Sequence, residues 1–170
     1  MKETTLSKEA IINSFKQLMR KKSFDKISIS DITNNCYLNR QTFYYHFQDK
    51  YELMNYIYYN EIFLPLVENL DEENYDYKFC QMFEKMKNEQ YLYANALSMN
   101  SDYGFKQYLF SVIEELVTIT CENKKTIDIK FYTHGIVGVV IDWIQLGMNK
   151  SPKELSTWLK DTLVNFKKMS

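Results

Sequence analysis

Glycine and proline are scarce: four and two in 170 residues. A sandwich or barrel of many short strands needs turn formers about every 8–12 residues, so that class is excluded. No glycine precedes Gly104, which rules out a glycine-rich phosphate loop in the first hundred residues. The three cysteines, Cys36, Cys80 and Cys121, lie about 40 residues apart with no CxxC spacing and no histidine beside them. An odd, dispersed set excludes a disulfide framework and a zinc site, and reads as small buried side chains in a reducing compartment. Long apolar runs are also missing. The longest, around Ile136–Ile141, falls far short of the roughly 18–20 residues that a membrane span requires, and Met1–Thr5 opens no signal-peptide core. The expectation is a cytoplasmic protein with no membrane partner.

A chain of 170 residues and 20.5 kDa buries roughly 70% of its unfolded surface, so it needs neither metal nor disulfide to fold. The net charge of −1 hides an asymmetry. Residues 1–50 carry nine basic and five acidic groups, and residues 51–170 carry twelve and seventeen. A basic segment beside an acidic one hints at nucleic-acid contact by the first.

Helical periodicity runs nearly end to end, and the fold class is all-α. Ile11, Ile12, Phe15, Leu18 and Met19 form one face of a helix that Ser7 is placed to cap and that stops near Ser23. Ser28 with Asp31 three residues on resembles a capping box and predicts a helix from 28 to 36; Asn39 caps another that ends near Phe47. Two short helices joined by a tight turn, behind a longer supporting helix, make a three-helix unit. Asp49 with Glu52 starts a long helix that Pro65 must kink or end. Further helices are predicted over 75–90, 91–99, 103–122 and 126–148. Ser151-Pro152-Lys153-Glu154 opens the last one, to about 167. The division expected is 1–48 and 49–170.

The informative segment is Leu38–Lys50. Phe43 and Phe47, four apart, anchor a short helix, so Arg40, Gln41 and Tyr44 project away near its N-terminus. Arginine pairs bidentately with guanine O6 and N7, glutamine with adenine N6 and N7, and a tyrosine ring packs on a thymine methyl. Tyr45, His46 and Lys50 suit phosphate oxygens at the flank. Only two arginines stand against nineteen lysines, and one of the two lies where a bidentate reader is needed.

Ile29-Ser30-Asp31-Ile32, then Asn39-Arg40-Gln41-Thr42-Phe43-Tyr44-Tyr45-His46-Phe47, then Asp49-Lys50 resemble the DNA-binding part of the TetR/AcrR family of bacterial transcription regulators over residues 8–53. The resemblance implies a homodimer that puts a recognition helix in each major groove of a palindromic, double-stranded DNA operator. It implies that Arg40, Gln41 and Tyr44 face bases, that Thr42, Tyr45, His46 and Lys50 hold the backbone, and that Ser30 reaches the groove edge; with the cap Asn39 these make the implied DNA-binding set. Tyr37 stands where the family usually has a turn glycine. Glycine takes positive φ without steric cost, so a side chain here points to a different turn. The run from Asn39, with Gly135-Ile136-Val137-Gly138, Trp143, Gly147-Met148 and Ser151-Pro152, is similar to the branch containing the activator of dihydroxyacetone-kinase operons. That likeness implies control through the C-terminal part by a small-molecule effector or a protein co-regulator.

The bland readings are plain. Tyr44 and Tyr45 sit in a chain with fourteen tyrosines, and a Met and aromatic series such as Met82, Met86, Tyr93, Leu97 and Met99 is more often core than ligand cavity. His134, Gly138 and Asp142 share a helix stripe. Gly135 and Gly138 permit close helix approach, within the subunit or across a dimer seam expected between 126–148, 152–167 and their mates. No catalytic constellation or metal-ligand spacing is present, so no enzyme, cofactor or metal is expected. The competing class is an all-α interaction module whose helix-turn-helix docks a protein and not DNA.

Overall fold

The structure, a computed structural model, describes residues 2–98, 104–121 and 123–169, and every regular element among them is helical. The order is α1 (Lys2–Met19), a single 3-10 turn (Phe24–Lys26), α2 (Ile29–Asn35), α3 (Arg40–His46) and α4 (Lys50–Tyr58). A π turn (Tyr59–Phe63) joins α4 to the short α5 (Leu64–Val67). Then come α6 (Tyr75–Asn88), α7 (Gln90–Leu97), α8 (Phe105–Thr120), α9 (Thr126–Gln145) and α10 (Pro152–Lys168).

Local chemistry accounts for the starts of α2, α3, α4 and α10. At α2 the Ser28 hydroxyl accepts the Asp31 N–H at 3.0 Å while the Asp31 carboxylate accepts the Ser28 N–H at 2.9 Å, a complete capping box. The main-chain and side-chain hydrogen bonds from Ser28, then that from Lys22, hold the Asp31 pKa down at about 2. Asn39 caps α3, Asp49 caps α4, and Ser151 with Glu154 closes a second capping box at α10 behind Pro152. One start differs from its sequence signal. α1 begins at Lys2, not at Ser7, because the Ser7 hydroxyl is engaged by the His46 ring at 2.8 Å and the helix runs on past it.

Pro65 acts one turn upstream of itself. Without an N–H, and with its ring against the preceding turn, it leaves the ladder short, and the chain widens there: the Leu64 N–H reaches back five residues to the Tyr59 carbonyl. The Asn60 amide fills in by donating to the Tyr56 carbonyl at 2.9 Å.

A continuous apolar core runs from Ile11, Phe15 and Phe43 through Leu53, Phe63 and Phe83 to Val137, Leu159 and Leu163. Met86 and Tyr93 are buried in it as core, while Met82, also buried, lines a cleft with Glu61, Ile62, Leu66 and Lys78; Met99 lies outside the described residues. α10 lies along α6. It buries Leu155, Leu159, Leu163 and Phe166, and its Ser156 hydroxyl donates to the Asp76 carbonyl at 2.7 Å. Lys160–Asp76 at 2.7 Å ties its flank to the first turn of α6, and Lys167–Glu72 at 3.0 Å ties it to the turn before that helix. The apolar side of 152–167 is thus used inside the protomer, against α6.

Two helices end in the same way. At α9 the Met148 N–H bonds the Trp143 carbonyl and the Gly147 N–H bonds that of Ile144, a Schellman motif with Gly147 at φ +79°. At α2 the Leu38 N–H bonds the Thr33 carbonyl and the Tyr37 N–H bonds that of Asn34, the same motif with Tyr37 at φ +56°. The turn of the three-helix unit is thus retained and not replaced, and a side chain bears the left-handed strain. That strain is about 1–2 kcal/mol for an L-residue, while glycine returns about 0.4–1 kcal/mol of unfolded-chain entropy. Tyr37 is 97% exposed and packs on nothing that would be lost. Tyr37→Gly should raise stability by about 0.5–1 kcal/mol, read as a higher denaturant midpoint at unchanged slope; a lower midpoint would show that the ring, not the backbone, governs this turn.

Candidate nucleic-acid interface

α3 has seven residues, too few to be helical alone. It is held by its cap, where the Asn39 Oδ1 accepts the Thr42 N–H at 2.8 Å and its hydroxyl at 3.0 Å, and by Phe43, its one fully buried side chain. Phe43 and Phe47 have ring centroids 5.9 Å apart. Because those two rings point inward, Arg40, Gln41, Tyr44 and Tyr45 are exposed. Asn39 and Thr42 are mutually engaged in the cap, which leaves them beside the exposed face with a local duty already.

The structure brings three of the sequence-predicted residues together. The Arg40 guanidinium donates to the Tyr44 hydroxyl at 3.2 Å and to the Ser30 hydroxyl at 3.5 Å, and lies 5.9 Å from the Tyr44 ring centroid. Ser30, from the first turn of α2, and Tyr44, one turn further along α3, thereby limit the rotamers of a long flexible cation before any ligand arrives. A preset fork loses less entropy on pairing with a base edge. Gln41 stands beside Arg40 on the same exposed side.

A second group forms at the far end of α3. The Tyr45 and His46 rings are 5.0 Å apart, and His46 Nε2 is 2.8 Å from the Ser7 hydroxyl of α1. Lys8, next on α1, sets its ammonium 3.8 Å from the Tyr56 ring centroid and 5.4 Å from that of Phe47. Burial first, and then the Lys8 charge, hold the His46 pKa below its ordinary value. Ser7 and Lys8 were missed in the sequence because nothing local links them to α3; only the packing of α1 brings them there.

Lys50 goes elsewhere. Its ammonium donates to the carbonyls of Phe24 at 2.8 Å, Asp25 at 3.3 Å and Ile27 at 2.8 Å, and sits 4.4 Å from the Phe24 ring centroid. Its three donors are spent on the main chain of the turn between α1 and α2. Burial lowers its pKa, with Asp25 opposing.

The remaining titratable candidates gather no chemistry. His134 is exposed on α9 with Nδ1 2.8 Å from the Lys130 carbonyl and its ring 4.8 Å from Phe110, and Asp142 is exposed two turns on. Among the described residues no group of three His, Cys, Asp or Glu side chains could hold a metal ion, and no helix is long and apolar enough to cross a membrane.

Comparison with known proteins agrees with this arrangement. Residues 7–57 match the profile of "Bacterial regulatory proteins, tetR family", and residues 73–165 match that of "Transcriptional regulator C-terminal region". The HTH-type dhaKLM operon transcriptional activator DhaS of Lactococcus lactis subsp. lactis (strain IL1403) is 26% identical over 103 residues, 61% of this chain and about half, 55%, of that protein. Among solved structures, a dihydroxyacetone kinase operon activator DhaS superposes with a TM-score of 0.69 at 20% identity, covering 95% of this chain and 96% of that one. A TetR transcriptional regulator from Streptococcus agalactiae 2603V gives 0.64 at 19% identity, covering 97% and 96%. At these identities the structural likeness establishes the fold: all-α, with the helix-turn-helix of α2 and α3 followed by a helical C-terminal part. With profiles of regulators accounting for both parts, the chain belongs to the tetR family of bacterial regulatory proteins, whose members are transcription regulators and not enzymes.

Proposed function

We propose that this regulator binds a palindromic operator in double-stranded DNA as a homodimer in the cytoplasm, with residues 1–48 reading DNA and residues 49–170 dimerising and receiving the signal. The observation that carries the reading is the Ser30–Arg40–Tyr44 cluster on the exposed side of a capped and anchored α3. Arg40, Gln41 and Tyr44 read base edges; Tyr45 and His46, backed by Lys8, meet phosphate. Asn39 and Thr42 present the helix N-terminus, and Lys50 serves the site through the turn that it holds.

The dimer seam proposed is the outer face of α9 with the end of α8. Phe131 is 75% exposed and Ile127 70%, and Val139 of α9 and Ile119 of α8 are exposed as well. Gly135 and Gly138 lie on the same stripe, and a Cβ built on either meets nothing within 4 Å, so neither is needed for packing inside the protomer. That supports the alternative in which small residues let two copies approach. Two-fold symmetry then sets the recognition helices about 34 Å apart, one turn of DNA. Likeness to an operon activator supports a role at the promoter of a dihydroxyacetone-kinase type of operon, with activity set through residues 49–170 by a small effector or a protein co-regulator.

Electrophoretic mobility shift across the DNA upstream of the neighbouring genes tests the reading. Nanomolar, salt-sensitive binding to a palindrome supports it; micromolar binding indifferent to sequence overturns it in favour of a protein-docking module. Arg40→Ala should cost about 1–3 kcal/mol on the cognate duplex and relax preference at one base position. Equal losses on cognate and scrambled DNA would remove Arg40 from the base-reading set.

A further inference from the structure

The turn that sets the start of α2 is gripped from two sides. Lys50, on α4, holds the carbonyls of Phe24, Asp25 and Ile27. Asn95, on α7, holds the other side of the same segment. Its Oδ1 accepts the Phe24 N–H at 2.7 Å, and its Nδ2 donates to the carbonyls of Met19 at 3.1 Å and Lys22 at 2.7 Å. Both donors and the acceptor of one amide are therefore committed to the last turn of α1 and the chain that leaves it. Two further contacts run alongside. The Arg20 guanidinium lies 4.6 Å from the Tyr91 ring centroid, and the Lys16 ammonium reaches Glu61 at 2.5 Å and Glu89 at 3.0 Å. Burial pulls the Lys16 pKa down, but its bonds to Glu61 and Glu89 outweigh that and raise it.

α1–α3 are joined through the chain to the C-terminal helices by α4 alone; the shared apolar core and the side-chain pairs hold the two parts together but leave some swivel about that connection. Asn95 supplies a second attachment through main-chain groups, which cannot shift by a rotamer change as a pair of long charged side chains can. We infer that Asn95 is a positioning residue for DNA recognition: by fixing the α1–α2 turn against α7, it sets the separation of the two recognition helices in the dimer. The inference rests on the dimeric, operator-binding reading above. Asn95 touches no base and no phosphate; it acts through Met19, Lys22 and Phe24.

The readout is spacing discrimination. The probe is a palindromic duplex enriched by the full-length wild-type protein from a random pool, together with versions carrying one or two base pairs inserted or deleted at the centre of symmetry, and a single half-site. Each inserted pair moves one half-site by about 3.4 Å along the axis. Wild-type protein should lose about tenfold or more in affinity for each displaced spacing. Asn95→Ala should bind the single half-site as wild type does, yet discriminate among spacings by less than about threefold, because the swivel lets it follow the displaced site. Asn95→Ser, which keeps a short hydroxyl, carries the same test if Asn95→Ala melts below the assay temperature. An unchanged spacing profile, or equal weakening on every duplex including the half-site, overturns the inference while leaving the function in place. Failure of the wild-type protein to enrich any palindrome overturns both.

Discussion

A Phe131→Glu chain should sediment as a folded monomer and bind a palindromic operator about 10²–10⁴-fold more weakly than wild type, the advantage that linking two binding events confers. Phe131 is 75% exposed in the protomer, so the substitution creates no cavity and leaves helix content and melting of the protomer unchanged. In the proposed seam the same ring contributes much of the roughly 150–250 Å² of apolar surface that one phenylalanine can bury, at about 25 cal/mol per Å². A two-fold seam repeats every change, so one substitution places two carboxylates in it, away from water. The stripe on which Phe131 lies also carries Ile127, Val139 and the two open glycines, and the polar exposed residues of α10, such as Lys153, Asp161 and Asn165, offer no comparable face. Sedimentation at micromolar concentration with parallel mobility shifts reads the result. A dimer that survives Phe131→Glu would move the seam off α9.

The elements that the sequence made legible are those whose causes are local. Ser28 with Asp31, Asn39, Asp49 and Ser151 with Glu154 each satisfy an N–H of the next turn, and their helices begin where that chemistry puts them. The outward direction of Arg40 and Tyr44 follows equally from the four-residue spacing of Phe43 and Phe47. What could not be read depends on partners far along the chain. Ser7 has the residue type of a cap, but His46, 39 residues away, uses its hydroxyl, so α1 starts earlier. Lys50 has the charge expected of a phosphate contact, yet carbonyls more than twenty residues back take its donors. The amphipathic pattern of α10 announces that it has an apolar side without saying that α6 covers it. Asn95 gives no sequence signal, because a polar residue in the middle of a helix is ordinary until its three main-chain partners are seen. Tyr37 teaches the converse: a side chain at a position suited to glycine did not alter the turn, because the two Schellman hydrogen bonds and the half-buried Cys36 and Leu38 on either side hold it.

Phe43→Ala should lower the stability of the whole chain by about 3–5 kcal/mol, the usual cost of removing a fully enclosed phenylalanine. Against a typical total of about 5–15 kcal/mol this is a large fraction, and the chain stays folded at low temperature only if its own total lies above the lower end. The ring is 0% exposed and is the one buried side chain of α3; Phe47, just past the helix end, is its neighbour at 5.9 Å. Losing it leaves a seven-residue helix attached by its Asn39 cap and Phe47, while α1, α2 and the C-terminal helices keep their own packing. The damage should therefore be greater locally than globally. Amide exchange in residues 40–46 should quicken under conditions where that of α6 and α10 does not, and operator affinity should fall by more than the unfolded fraction accounts for. Arg40→Ala is the control: Arg40 is exposed, so it should change affinity with little change in denaturant midpoint. A loss below about 1 kcal/mol for Phe43→Ala, with α3 still protected, would mean that α3 is held chiefly by its cap and by Phe47. The base-reading face would then owe its position to the ends of the helix and not to the ring beneath its middle.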